Sequence, residues 1–473
     1  MPWGQVFFTG RPRPSLFFLL FCSIPSFCRP PKVVELLGPH SISTTHFAAH
    51  TALRKALAPA FGPAAVAGYV PLMQSVCEDH AAAWAKAGPG LGGAAANKSF
   101  TFHVICHVLG FQDGVEWAGP AARARANALF ADWLGGFSPT GSGLPGGKMW
   151  AARRARAELL RLIRATLGPM ITARVAALAR GRASSEAGSG DGGGDRGDGE
   201  RRAVMARVID ALLVEGGLQA GAPAGTSPHA DPHAIMPAAA DIALNLLFAG
   251  TDTSSTVLTL LLRTLVGADQ APLLARLRAE QESVLAAHGP TLTAAALDAM
   301  PLLGACLKEQ LRVVPIVGQV FRRVVVDGLD VGGFHIRRGE TLVLDLADAL
   351  ATDGRWASEP PTSPAHLAKF HPDRWLPGPG ATEADREAIR REGAWLPFGG
   401  GPRLCVGYRL ATAEVATMMA VLLRGYAWTV AAPGTPLVKP PTGLPLPTDG
   451  FVVEFRGLGG GVGGADGVRA KEE

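Results

Sequence analysis

One cysteine stands in a setting that accounts for its side chain. Cys405 is delivered by the glycine-rich stretch Phe398-Gly-Gly-Gly-Pro-Arg-Leu-Cys-Val-Gly407 and is followed by an apolar run. Glycines lack a Cβ and reach positive φ freely, so the three in a row, and Gly407, suit a backbone that bends and approaches a flat ligand. Leu410, Met418, Val421 and Leu422 recur at helical spacing, which predicts a helix over Tyr408 to Arg424 with Cys405 near its N-terminus. A helix N-terminus favours negative charge and lowers a thiol's pKa, and a bound metal does so more strongly. The stretch therefore suits a thiolate metal ligand. A phosphate cradle is disfavoured, because the Lys-[Ser/Thr] that follows the glycines of a P-loop is absent. An inert core thiol is the other reading of the cysteine taken alone.

Four further groupings carry polar chemistry. Ala249-Gly-Thr-Asp-Thr-Ser254 puts a glycine, an acid and hydroxyls inside a long apolar segment. Gly250 weakens a helix by about 1 kcal/mol relative to alanine, and Asp252 and Thr253 add polar groups that must find partners. Such a stretch is either a locally satisfied kink or a water-holding bulge where a proton relay enters a site. Glu309 and Arg312 lie three apart on one helix face and can pair, although an exposed pair of this kind contributes little. Phe370-His-Pro-Asp-Arg-Trp375 supplies Arg374 from a segment expected to be extended and fixed by Pro372, so that Arg374 can join Glu309 and Arg312 in a buried network. His103 and His107 form an i, i+4 pair with the spacing to grip a metal, on what reads as an ordinary core helix.

Positioning these residues takes a mostly helical chain. From about Val33 to Arg180 the pattern is a series of helices broken by Gly/Pro turns. It includes a Gly/Pro/Ser loop over Leu134 to Gly147 and a basic helix over Met149 to Leu167, whose Arg153, Arg154, Arg156, Arg161 and Arg164 read as a solvated face. Ser184 to Arg202 is low-complexity Gly/Asp/Ser sequence that cannot bury enough surface to order itself, and reads as a flexible insert. Gly216 to Pro237, with His229 and His233, reads as a second loop. Ala238 to Val266 is apolar and long enough to be a transmembrane candidate. Asp241, Asn245, Asp252 and the hydroxyls over Thr251 to Thr256 are expensive in lipid and useful along a cavity, so a helix buried through the middle of the protein is expected. Helices follow over Pro272 to His288, Ala294 to Met300 and Leu302 to Val313. Short β-like runs cover Val320 to Val326 and Thr341 to Leu346 and return weakly near Phe451 to Phe455. Gly457 to Glu473 is a Gly-rich tail of no predicted structure.

Composition bounds the function. Of 473 residues 48% are apolar and only 18% charged, with a mean hydropathy of +0.19, which points to a membrane-associated or very alanine-rich globular protein. Forty-five basic against 40 acidic residues give +5, too weak and dispersed to argue for nucleic acid. Six scattered cysteines with no C-x-x-C pair indicate neither a disulfide framework nor a zinc site. The first 34 residues contain no acid, carry Arg11 and Arg13, and hold an apolar run from Leu16 to Ile24. That run is shorter than the roughly 20 residues that span a bilayer, so residues 1–30 read as a targeting segment, a shortened anchor or a misassigned start.

In this order, the acid–threonine helix, the Glu-x-x-Arg helix, Phe-x-Pro-x-Arg-Trp and Phe-x-x-Gly-x-Arg-x-Cys-x-Gly resemble the cytochrome P450 family of haem-thiolate monooxygenases. The resemblance runs from roughly Pro31 to Arg456. It implies a mainly α fold with a small β region, the cytochrome P450 fold shortened at its N-terminus, with residues 31–456 as the monooxygenase domain and 457–473 as a disordered tail. Leu36-Leu-Gly-Pro39, His50-Thr-Ala-Leu-Arg-Lys55 and Gly333-Phe-His-Ile336 are similar to the branch that oxidises retinoids, with plant sterol oxidases nearby.

Carried over residue by residue, the resemblance implies that Cys405 is the proximal iron ligand of haem b. Phe398 would pack beside the ligand loop that also contains Gly407, and Arg403, His50 and Arg54 would hold the propionates. Glu309, Arg312 and Arg374 would form a structural network behind the haem. Asp252 and Thr253 would deliver protons for oxygen reduction, and Ala249, Gly250, Val317 and Gly318 would lie against the substrate. A thiolate donates electron density to iron, and the implied reaction hydroxylates an isoprenoid-, retinoid- or sterol-like compound with O2. Electrons would come from NADPH through a flavoprotein reductase or a ferredoxin. The implied setting is a membrane, at the endoplasmic reticulum or in a plastid. Two departures stand out: Gln319 occupies the place where some members carry a propionate-binding arginine, and Ala347 to Ser363 lacks the His that often follows the corresponding strand. Two alternatives use the same fold. One is a hydroperoxide isomerase or peroxygenase that needs no reductase, against which Asp252-Thr253 argues; the other is a truncated, haem-binding pseudoenzyme.

Overall fold

The computed structural model describes residues 5–7, 31–111, 117, 119–137, 144, 146–186, 204–214, 232–331, 333–347, 350, 370–378, 395–438 and 444–459. In chain order these form β1 (Gln5–Phe7), α1 (Pro31–Leu37), α2 (Phe47–Leu57), α3 (Pro63–Ala87), β2 (Leu91–Gly92), α4 (Gly93–Leu109), α5 (Gly119–Gly135), α6 (Lys148–Glu186) and α7 (Val204–Val214). Next come α8 (Pro232–Leu265), α9 (Ala271–His288), α10 (Ala294–Asp298) and α11 (Pro301–Val313), then β3 (Gln319–Arg323), β4 (Leu329–Val331), β5 (Phe334–Ile336) and β6 (Thr341–Asp345). The chain closes with α12 (Tyr408–Gly425), β7 (Tyr426–Val430), β8 (Leu437–Val438), β9 (Leu446–Pro447) and β10 (Val452–Gly457). The architecture is mainly helical with small sheets, as expected.

Helix α8 is the axis of the molecule. Leu244, Leu247, Leu258, Leu261 and Leu262 are buried on more than one side of it, the pattern of a helix surrounded by protein. It packs against α4, α6, α7, α11 and α12. By length and composition Ala234–Leu265 could cross a bilayer, but 67% of its apolar window is covered by the rest of the protein, which matches the expected core helix. Truncating a leucine such as Leu258 to alanine would cost about 2–5 kcal/mol. Thr251 and Thr259 of α8 are satisfied within the core. Thr251 donates to Leu247 O at 2.6 Å, Thr101 of α4 donates to Thr251 O at 2.8 Å, and Asn97 donates to Thr259 Oγ1 at 2.9 Å.

A turn after α1 wraps the start of this axis. Gly38 has φ +85°, and a Cβ there would lie 2.1 Å from Asp241 Cγ. His40 N donates to Asp241 Oδ2 at 3.4 Å, and Arg156 of α6 reaches Asp241 Oδ1 at 2.8 Å and Leu36 O at 2.9 Å. The turn thereby feeds Ile42 and Ser43 into the wall of the cavity described below.

Strand β6 is the centre of one sheet, parallel to β1 (Gln5↔Thr341) and antiparallel to β3 (Gln319↔Asp345, Arg323↔Thr341). Strand β10 is the centre of another, between β2 and β7. Several expectations need correction. Helix α6 does not stop at Leu167 but continues through Gly168-Pro169, because Leu159, Ile163, Leu167 and Ile171 keep the buried stripe continuous across the break. That packing outweighs the roughly 3 kcal/mol that an interior proline costs. Residues 372–375 form a 3₁₀ turn and not an extended segment; the fixed φ of Pro372 suits a first helical position. Strands β1, β2, β4, β5 and β7–β9 were not anticipated. The low-complexity insert beyond Glu186, the loop containing His229, most of 347–363, most of residues 1–30, and the tail from 460 lie outside the described residues.

Candidate cofactor and substrate site

The cysteine loop is shaped by two of its glycines. Gly399 and Gly401 adopt φ of 73° and 61°, conformations open to glycine. Leu404 N then donates to Gly401 O at 3.0 Å and Cys405 N to Phe398 O at 2.9 Å, which closes the loop over Phe398. Gly407 departs from the expectation: its φ is −93°, and an added Cβ would meet nothing within 4 Å. It serves as the N-cap of α12, its carbonyl accepting from Ala411 N at 2.9 Å.

Cys405 opens onto a cavity of about 330 Å³, so its surface is accessible although protein surrounds it. Burial pushes its thiol up, against the opposing pulls of the Gly407 N–H and the Arg54 charge. The helix terminus alone therefore does not lower this thiol, whereas a bound cation would.

Four cationic or basic residues line one side of the cavity: His50 and Arg54 from α2, Arg322 from β3, and Arg403 from the loop. No Asp or Glu lines the cavity among the described residues. Backbone carbonyls hold the guanidiniums: Arg54 donates to Leu404 O at 2.5 Å, and Arg403 to Ile42 O at 3.2 Å and Thr45 O at 2.8 Å. Burial and neighbouring positive charge lower His50 to about 4, Arg322 to about 10 and Arg403 to about 10. A cluster that depresses its own cations in this way suits an anion.

Arg322 was missed in the sequence, where Gln319 drew attention as the absent arginine. Residues two apart on a strand share a face, and Val320 and Arg322 both face the cavity, whereas Gln319 bonds Asp345 on the other side at 3.0 Å. The two-residue alternation was the available signal.

Helix α8 forms the opposite wall. Ala249 and Thr253 line it, and Thr253 donates its hydroxyl to Ala249 O at 2.7 Å. The neighbouring positions turn away. A Cβ on Gly250 would lie 2.8 Å from Ile105 Cγ1, so this glycine admits α4 and not the ligand. Asp252 also faces α4, where Lys98 Nζ is 2.6 Å from its Oδ1. Burial raises Asp252, the Lys98 charge partly offsets this, and Oδ2 has no hydrogen-bond partner among the described residues. Successive helical residues point about 100° apart, which separates Asp252 from Thr253. Val317 lines the cavity as expected, but Gly318 is buried behind it and accepts Leu346 N at 2.7 Å.

Glu414 was also missed. It is 3% exposed on α12, and burial pushes its carboxyl up to about 8 while a hydrogen bond from Ser254 lowers it. It lies four residues from both Leu410 and Met418, on the stripe that marked this helix as apolar, and that placement was the signal.

The protein-family model described as Cytochrome P450 matches residues 237–455. The solved structure titled "Retinoic acid bound cyanobacterial CYP120A1" superposes with a TM-score of 0.72 at 25% identity, covering 96% of this chain and 89% of that one. This chain belongs to the cytochrome P450 family. Putative cytochrome P450 120 of Synechocystis sp. is 27% identical over 423 residues, 89% of this chain and 80% of its own. LUTEIN DEFICIENT 5, chloroplastic, of Arabidopsis thaliana is 30% identical over 209 residues, 44% of this chain. That match spans about a third of the relative's own length, 32%.

Membership of the P450 family implies a haem and electrons from a redox partner. The donor set fits such a group: a cysteine on the cavity floor, a backbone bent by Gly399 and Gly401, and Arg54, Arg322 and Arg403 where carboxylates would be held.

Behind the cavity in this P450, Glu309 gathers Arg312 at 2.9 Å through both oxygens, Arg374 Nε at 3.0 Å, His371 N at 2.9 Å and Trp375 Nε1 at 2.9 Å. These bonds and charges hold Glu309 below the usual carboxylate range despite its burial. His107 and His103 meet at 3.2 Å and His80 joins at 3.3 Å, but no group of three ligands able to hold a metal occurs among the described residues. A second cleft of about 390 Å³ lies between α1 and α6, yet Arg153 pairs with Glu35 and Arg156 with Asp241 there. It is built of structural ion pairs; Arg156 in particular is not the solvated residue expected.

Proposed function

We propose that this P450 is a monooxygenase that hydroxylates a lipophilic isoprenoid-, retinoid- or sterol-like molecule, with residues 31–456 acting as one haem domain. Cys405 would ligate the iron, Phe398 would pack beside it, and Arg54, Arg322 and Arg403, with neutral His50, would hold the propionates. A thiolate-ligated haem, when bound, supplies oxygen activation favoured by electron donation from sulfur. The chain's residues orient the rest. Ala249, Ile316, Val317 and Val320 shape an apolar chamber that excludes water. The Thr253 hydroxyl presents a proton at the α8 wall, and Asp252, paired with Lys98 on the α4 side of the helix, would have to leave that pair to relay protons to it. Glu309, Arg312 and Arg374 keep α11 fixed to the turn at 372–375. NADPH would supply electrons through a flavoprotein reductase or a ferredoxin, and the protein would associate with a membrane, at the endoplasmic reticulum or in a plastid.

The observation that carries this reading is a cysteine on an apolar chamber whose rim holds three arginines and a histidine and, among the described residues, no acid. The test is the reduced, carbon monoxide-bound spectrum of the purified protein. A thiolate-type Soret band that is lost in Cys405→Ser is expected; a parent without that band sinks the reading. The Asp252–Lys98 pair favours one alternative, peroxide-driven oxidation without a reductase. Turnover with peroxide but none with O2, NADPH and either redox partner would establish it.

A further inference from the structure

The polar groups of the chamber fall into sets with evident neighbours and one without. His50, Arg54, Arg322 and Arg403 gather at the anion-binding rim. Thr253 bonds to its own helix and Ser254 to Glu414. Asn245 differs from all of these. It lies on α8 one turn before Ala249, on the same face, is 2% exposed and lines the chamber. Its Oδ1 accepts one hydrogen bond, from Ser43 Oγ at 3.3 Å. A side-chain amide offers two donors and an acceptor, and Ser43 can occupy only one of these whichever way the amide is turned. Among the described residues nothing pairs with the amide NH2 group. A buried amide left half-paired is costly unless a ligand or water completes it.

We infer that Asn245, held by Ser43, is the polar anchor of the substrate site, donating an N–H to a neutral hydroxyl or carbonyl oxygen at one end of an otherwise apolar, elongated molecule. This rests on the chamber being the substrate site of the proposed monooxygenase. A neutral oxygen is favoured over a carboxylate because the chamber's cations, including Arg403 beside the Ser43 strap, are assigned to the haem propionates, and the charges one turn back, Asp241 and Arg156, already pair with each other. A substrate carboxylate at Asn245 would be buried without a counter-charge of its own. Spacing along α8 sets the regiochemistry. At about 1.5 Å per residue, Ala249 lies roughly 6 Å and Thr253 roughly 12 Å beyond Asn245. The oxidised carbon is then roughly one to two helical turns from the anchored oxygen, about 5–11 Å.

The experiment is calorimetric titration of the haem-loaded protein with farnesol, farnesoic acid and farnesene, which share one apolar skeleton. The parent is expected to bind farnesol about tenfold more tightly than either of the others, the scale of one neutral hydrogen bond. Asn245→Leu is expected to erase that preference while still binding farnesene, and Ser43→Ala to reduce it. The ligand-free Asn245→Leu protein should melt no lower than the parent, which separates loss of the anchor from misfolding. A parent that does not favour farnesol, that prefers the acid or that binds none of the three overturns the inference, as does an Asn245→Leu protein that keeps the preference. Calorimetry reads the anchor independently of the carbon monoxide spectrum, so failure of the haem reading and failure of the anchor are distinguishable.

Discussion

Two buried charge clusters lie within this protein and are built on opposite plans. Around Glu309, one carboxylate meets two guanidiniums, a backbone N–H and an indole N–H, with both partners of the Glu309–Arg312 pair fully buried. Around the chamber rim, Arg54, Arg322 and Arg403 donate to backbone carbonyls and lie in a shared positive field. The first cluster has an acid at its centre, bonded through both oxygens, and acts as a knot. The second gathers positive charge at a cavity with no lining acid among the described residues, so an anion bound there would relieve part of its cost. Burial by itself therefore does not distinguish a structural charge from a functional one; the sign of its neighbours does.

The largest expected effect tests the knot. Glu309→Ala leaves Arg312 and Arg374 without their acid, at a cost of about 3–5 kcal/mol, and soluble folded protein should fall to a small fraction of the parent yield. A variant that melts like the parent would make the knot dispensable. Arg322→Leu should act with opposite signs in the two forms. Haem-free protein should gain on the order of 1 kcal/mol from losing a desolvated cation, while haem retention under competition with apomyoglobin weakens about tenfold, the same order as one charge-assisted hydrogen bond. Equal shifts in both forms would erase the contrast between the clusters.

Glu414 is a third case, a buried acid with no paired cation among the described residues. Its unfolded carboxyl titrates near about 4.3 and its folded one at about 8, so between those values the folded state holds a proton that the unfolded state has released. Parent stability should fall as pH rises through that window and level off above it, with a slope of at most about 1.4 kcal/mol per pH unit. Glu414→Gln should remove the slope in denaturant melts at pH 5, 6, 7 and 8; an unchanged slope would mean the carboxyl is not the titrating group. The smallest effect is a gain of about 1–2 °C in the melting temperature of the haem-free protein with millimolar pyrophosphate, from mass action on the rim cations. Arg322→Leu should abolish it.

How legible all this was depended on whether a feature is local. The Cys405 loop, the Glu309/Arg312 spacing and the buried α8 could be read directly, because each is a short pattern whose physics lies within a few residues. Arg322 could not, since its worth comes from the face β3 shows the cavity. Asp252 and Gly250 were placed at the chamber because they adjoin Thr253 and Ala249 in sequence, but a helix sends neighbours to different walls, and Lys98 and Ile105 of α4 meet them instead. Gly407 was assigned a bend that Gly399 and Gly401 make. The turn at 372–375 and the path of α6 through Pro169 were settled by tertiary packing that no local propensity records.

Gly38 has a mechanical consequence. The hydrogen on its Cα occupies the only room left beside the Asp241 carboxylate, and the strap that leaves it carries Ile42, whose carbonyl holds Arg403, and Ser43, which holds Asn245. Lengthening that hydrogen to a methyl group would push the strap outward at both grips together. The gauge of the chamber, from rim to anchor, is in this sense set by the width of one hydrogen atom outside it.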